Sequence, residues 1–124
     1  MTGVQTCALP ISSFSCASCN DFNELLAAEQ RPQVVIAGME AHICVLQTAI
    51  QLHESNYQVF VVADAVCSRN HFHRDNALQR LVSAGVTVTN TESVIFEWLR
   101  DAKHEQFKAI SDRKSTRLNS SHRL

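Results

Sequence analysis

The sequence is short of glycine (three residues), of proline (two) and of charge of one sign, and it has no long apolar run. Gly38 and Gly85 are the only glycines beyond the first eleven residues, so no glycine-rich loop is available to cradle a phosphate. A nucleotide-binding doubly wound domain is set aside on that ground. A formal net charge of −1 offers no basic excess for a nucleic-acid surface. No stretch approaches the roughly 18 apolar residues of a membrane span. The first twelve residues also lack the basic start and the apolar stretch of a signal peptide. Five cysteines in 124 residues of otherwise ordinary composition do not make a disulfide scaffold, and free thiols in a reducing cytosol fit better. Repeats and low-complexity stretches are absent too. What is present, 45% hydrophobic residues over one domain's length, predicts a single small soluble cytoplasmic domain with its own core.

Both ends of the chain read as foreign to that domain. Asp112 to His122, read backwards codon by codon as reverse complements, can encode Met1 to Ile11. Asp112 (GAT) gives Ile11 (ATC), Arg113 (CGG) gives Pro10 (CCG), Lys114 (AAG) gives Leu9 (CTT), and the pairing continues to His122 (CAC) opposite the start codon GTG. One duplex read on both strands thus accounts for both ends, and it resembles a sequencing-library adapter ligated in inverted orientation. The expected organisation is an adapter-derived tail at 1–11, a natural insert at 12–111, and a second tail at 112–124. The insert then holds seven basic and eleven acidic residues, hence −4, and the basic C-terminal tail is not a nucleic-acid arm.

Within the insert, helical and strand-like periods alternate. Phe22, Leu25 and Leu26 have helical spacing, with Asn20 or Asp21 as the expected cap and an end before Pro32. Gln33 to Gly38 (QVVIAG) reads as a buried strand. His42 to Glu54 is an expected helix with Ile43, Leu46, Ala49, Ile50 and His53 on one stripe, and Tyr57 to Ala63 is a second strand ending at Asp64. A polar loop through Ser68, Arg69 and Asn70 leads to a helix near Arg74 to Ala84, with Gly85 as its C′ residue. Val86 to Thr89 is a third strand, and Thr89 with Glu92 can form a capping box for a helix over Val94 to Leu99. A short segment from Lys103 to Ile110 is anchored by Phe107 and Ile110. This order predicts an α/β fold, three layers αβα around a parallel sheet, thinned here to about three strands. In such sheets chemistry gathers beyond the C-terminal strand ends, here Gly38 to Cys44 and Asp64 to Asn70.

Cys44 is the sharpest candidate for chemistry. It lies six residues past Gly38, where the opening of a helix leaves backbone N–H groups free to face a nucleophile's charge or an oxyanion. A thiolate beside such donors is what covalent hydrolysis of an amide or ester needs. The alternative is a buried structural cysteine.

The stretch VVIAGMEAHICVLQTA (Val34 to Ala49) resembles the signature of the isochorismatase-like cysteine hydrolases. VFVVADAVCSR (Val59 to Arg69), AGVTVTNTESVIFEWL (Ala84 to Leu99), FKAIS (Phe107 to Ser111) and the FSC of Phe14 to Cys16 extend the likeness over essentially the whole insert, in order. The resemblance implies an Asp, Lys and Cys triad with Cys44 as nucleophile. It also implies an oxyanion hole from the backbone N–H groups of Glu40 and Cys44, and a cis peptide between Met39 and Glu40. The triad's Asp belongs to an earlier strand, and the position of its Lys falls on Ile11. The insert is therefore expected to be the C-terminal portion of the domain, inactive as it stands, with a small amide or related C–N compound as the family-type substrate. A non-catalytic binding or assembly module is the alternative. The resemblance also implies a homo-oligomer for the full-length protein.

The remaining candidates are read with their alternatives open. Asp64 could bind a polar substrate group or cap the following turn. Arg69 could receive a carboxylate or stand as a solvated loop arginine. Cys16-Ala-Ser-Cys19 has the spacing of half a zinc site without a second half, and His71 and His73 flank Phe72. Neither is expected to hold a metal, and no cofactor is expected.

Overall fold

A computed structural model describes residues 12–113. The two ends read as adapter-derived lie outside the described residues, apart from Asp112 and Arg113. The chain forms two compact units, the first ending at Asn90 and the second beginning at Thr91.

In the first unit a short 3-10 turn (Cys16–Ser18) leads into α1 (Asn20–Ala28). Then follow β1 (Gln33–Met39), a π-type turn (Ala41–Val45) running into α2 (Leu46–Glu54), β2 (Gln58–Cys67), α3 (His71–Ser83) and β3 (Thr87–Thr89). The strands form one sheet in the order β1-β2-β3, both pairs parallel, with α2 and α3 as the crossovers. The expected α/β class with a parallel sheet of three strands is what the chain adopts.

Register explains where the core sits. Val34 pairs with Val59 and Ile36 with Val61, while Val88 faces Val61 from β3, so these side chains share one face of the pleat. That face meets Ala49 and Leu52 of α2 and Ala77 and Leu81 of α3 in one cluster. Leu52, Leu81 and Val61 are its largest fully buried side chains. Phe22 and Leu26 of α1 pack against the same cluster, as the helical spacing predicts.

Several local expectations need correction. β1 is not buried on both faces: Val34 and Ile36 point inward, but Val35 is 41% and Met39 70% exposed. The reason is topological, since among the described residues β1 has a neighbour on one side only. Helix α1 is preceded by Cys19 rather than capped by Asn20 or Asp21, which form its first turn. Helix α3 starts at His71, three residues before Arg74, because the Asn70 side chain accepts from the Phe72 N–H at 2.8 Å and closes the first turn. Gly85 does follow the last helical turn, at φ +92°, and a Cβ there would lie 2.7 Å from His53 Nε2.

In the second unit, α4 (Thr91–Leu99) starts three residues before the expected Val94. Residues 107–113 are helical. Phe107 is an anchor as expected, its ring meeting that of Phe96 edge to face at 5.9 Å. No helix among the described residues is long and apolar enough to cross a membrane.

Leu81→Ala should cost about 2–5 kcal/mol, the range for truncating a fully buried leucine, and Asn70→Ala about 0.5–2 kcal/mol for a lost cap. Val35→Lys, on the exposed face of the edge strand, should stay within about 0.5 kcal/mol. Urea denaturation of the three variants checks the ranking.

Candidate functional site

The C-terminal ends of β1 and β2 are neighbours, but they arrive there out of step. Ile36 pairs with Val61 and Gly38 with Val66, so β2 advances five residues while β1 advances two. Three residues of β2 are surplus, which makes a bulge. Asp64 lies inside it. The expectation that β2 ends at Asp64 is therefore overturned: the strand runs on to Cys67, and Asp64 is an exposed residue within it. Arg74 of α3 secures the bulge. Its Nη2 donates to the Ala63 carbonyl, its Nε to the Val66 carbonyl at 3.3 Å, and its Nη1 to Asp75 at 3.0 Å.

Beyond the bulge the strands come back into register, Met39 beside Cys67. The next residues on each side, Glu40 and Ser68–Arg69, are thereby brought together. The Met39–Glu40 peptide is cis. The Glu40 carbonyl accepts from the Ile43 N–H and from the Val45 N–H, both at 3.2 Å, the second being the i to i+5 bond of the π turn. Cys44 sits within this turn, half-buried, as a free thiol. The expected α-helix over His42 to Glu54 is thus a π turn followed by α2 from Leu46, and turns of that type recur at functional sites.

The side chains around the turn make a polar cluster. Glu40 Oε2 accepts from the Arg69 backbone N–H at 3.2 Å, and Glu40 Oε1 lies 3.0 Å from Arg69 Nε. The Arg69 backbone N–H, reinforced by its guanidinium and by His42, holds the Glu40 carboxyl below its ordinary range. His42 Nδ1 shares a 2.8 Å hydrogen bond with Ser68 Oγ and lies 3.8 Å from Glu40 Oε2. The His42 ring stacks on that of His73 from α3, centroids 4.8 Å apart.

Of the residues singled out from sequence, Glu40, Cys44 and Arg69 are gathered at these strand ends. Arg69 does receive a carboxylate, that of Glu40, while its side chain remains 79% exposed. His42, Ser68 and the His42-facing role of His73 were not found by sequence reasoning. Their signal was available only as position, since each sits within a few residues of a strand's C-terminal end. His73 also meets Phe72 edge to face. Among the described residues, no three His, Cys, Asp or Glu side chains are grouped so as to hold a metal.

Comparison with known proteins bears on this geometry. A family model described as the isochorismatase domain matches residues 10–93. The chain is 44% identical over 82 residues to a secreted isochorismatase effector, Isc1, of Phytophthora sojae, covering 66% of this chain and 39% of the effector. Among solved structures it is similar to a MAR1 ribonuclease from Caenorhabditis elegans, with 33% identity, a TM-score of 0.73, and coverage of 82% of this chain and 52% of that one. YcaC from Pseudomonas aeruginosa, solved with covalent acrylamide, matches at 29% identity and a TM-score of 0.80, over 92% and 59% of the two chains. Nicotinamidase PncA from Bacillus subtilis matches at 27% identity and 0.61, over 64% and 44%. The chain thus spans between about two fifths and three fifths of these relatives' lengths.

Because the Glu40 carboxyl titrates below its ordinary value near 4.5, its contribution to stability is present above that pH and is lost as pH falls through the lowered folded value. Glu40→Gln should therefore flatten the acid limb of a stability-against-pH curve and leave the interval from pH 6 to 8 parallel to the native chain. Urea denaturation at stepped pH measures it.

Proposed function

This chain belongs to the isochorismatase family, and from that premise we propose that it is the C-terminal portion of a cysteine hydrolase acting on a small amide or related C–N compound through Cys44. The observation that carries this reading is the placement of Cys44. It is half-buried in the turn directly beyond β1, in the same turn as His42, at the strand end where open parallel sheets keep their chemistry.

In this reading the Cys44 thiolate adds to the substrate carbonyl, the amine leaves with a proton, and water resolves the thioester. The backbone N–H groups of Glu40 and Cys44 receive the oxyanion. The polar cluster of Glu40, Arg69, His42 and Ser68 fixes the turn that carries them. Arg69 and the exposed Asp64 are the candidates for contact with polar groups of the substrate. The match to a nicotinamidase supports an amide substrate. One relative is named a ribonuclease, but the −4 charge of residues 12–111 disfavours a phosphate-backbone surface, and a small molecule is retained as the substrate. The four free thiols among the described residues fit a reducing, cytoplasmic setting, and homo-oligomer formation by the full-length protein fits the exposed Met39 and Phe72.

With Ile11 at the triad's lysine position, the 124-residue chain is proposed to acylate without turning over. A non-catalytic binding module is the competing reading. An activated ester such as p-nitrophenyl acetate separates them. The expected result is a single burst of nitrophenolate with the acetyl group mapped to Cys44 by mass spectrometry, and no burst from Cys44→Ala. An unlabelled Cys44, or a burst that survives in Cys44→Ala, sinks the nucleophile assignment.

A further inference from the structure

Two cysteines outside the candidate site are placed for chemistry of their own. Cys16 and Cys19 are the first and fourth residues of a hydrogen-bonded turn, the Cys19 N–H donating to the Cys16 carbonyl at 3.0 Å. Both are free thiols and half-buried. The ends of such a turn lie within about 7 Å between Cα atoms, which overlaps the span of about 4.4–6.8 Å over which a disulfide closes. Cys19 precedes the first turn of α1 without a side-chain capping hydrogen bond, so its sulfur is not committed to the helix end.

The turn is also held in place from outside. The Cys16 N–H donates to Thr48 Oγ1 at 3.0 Å. Ser15, only 2% exposed, donates through Oγ to Gln51 Oε1 at 2.7 Å and accepts from the Ala17 N–H at 3.2 Å. Thr48 and Gln51 belong to α2. The ordering that ring closure would otherwise require has thus been met by the fold before any sulfur–sulfur bond forms.

We propose that Cys16 and Cys19 form a reversible thiol–disulfide exchange site, independent of Cys44, whose oxidant is a low-molecular-weight disulfide RSSR. The Cys19 thiolate attacks one sulfur of RSSR, breaking its S–S bond and expelling RS⁻, which takes up the proton that Cys19 gave. The Cys16 thiolate then attacks Cys19 Sγ in the mixed disulfide, breaking that bond and expelling the second RS⁻, which takes up the proton from Cys16. Two protein thiols are oxidised to one disulfide and RSSR is reduced to two RSH.

The test uses the full 124-residue chain carrying Cys7→Ser, so that Cys16 and Cys19 are the only thiols in the peptide that glutamyl endopeptidase releases at Glu24. The chain is equilibrated across ratios of oxidised to reduced dithiothreitol, quenched in acid, alkylated with N-ethylmaleimide and weighed. The expected peptide loses both alkylations together and is lighter by two hydrogens. The equilibrium constant should fall about tenfold or more in concentrated urea, a shift of about 30 mV for a two-electron couple. Full alkylation at the most oxidising ratio overturns the proposal. So does bonding of either sulfur elsewhere, or an equilibrium constant unchanged by urea, which would mean the folded turn contributes nothing.

Discussion

The geometry at the strand ends depends on a slip that gives β2 three more residues than β1 over the same span. Between the Ile36–Val61 and Gly38–Val66 pairs the two parallel strands slip, which interrupts the regular ladder of β2. Arg74 reaches from α3 to this stretch and donates to two of its carbonyls at once, those of Ala63 and Val66. Once the slip is absorbed, Met39 stands beside Cys67, and the residues that follow each strand are neighbours by register alone. Glu40 meets Arg69, and His42 meets Ser68. The π turn bearing Cys44 starts from that junction, with the Glu40 carbonyl as its first acceptor.

The polar cluster there is better understood as a device for direction than for stability. The Arg69 side chain is largely exposed, and an ion pair with one exposed partner contributes little once solvent and entropy are counted. The backbone N–H of Arg69 is different, because a donor fixed by the main chain loses no side-chain freedom when Glu40 accepts from it. That bond ties the loop after β2 to the turn after β1. His42 adds a second tie through Ser68 and a third through its stack on His73, so three ties from two elements, the loop after β2 and α3, converge on a segment of six residues.

Much of this architecture was legible in the residues. Periods of two and of 3.6 located the three strands and the helices between them, because burial against a common core imposes those periods directly. Gly85 was legible for a similar reason, since a positive φ at a helix end selects glycine. The length of β2 was not legible. Asp64 reads as a stop because a carboxylate is rare inside a buried strand, yet a bulge turns it outward and the strand continues. The start of α3 was missed by three residues for a local reason: Asn70, His71 and His73 look like loop, and the Asn70 side chain caps the helix there by accepting from the Phe72 N–H. The partners of His42 could not be read at all. Ser68 and His73 lie 26 and 31 positions further on, and their approach follows from a register slip that leaves no periodic trace.

Helix α2 is the element common to everything sulfur does here. Cys44 lies in the π turn that opens it, and Thr48, four residues on, takes the Cys16 N–H, while Gln51 takes the Ser15 hydroxyl. The same helix buries Ala49 and Leu52 in the core, so its position is set by packing rather than by either group of polar contacts. A platform fixed by the core can carry two polar attachments without either having to stabilise it. That separation allows the turn at Cys16–Cys19 to change its bonding state while the core contacts of α2, and with them the base of the Cys44 turn, stay as they are. Coupling between the two sulfur sites through α2 would pass by way of Thr48, engaged by the Cys16 N–H, or Gln51, engaged by Ser15, and the rigidity of the packed helix works against any large displacement.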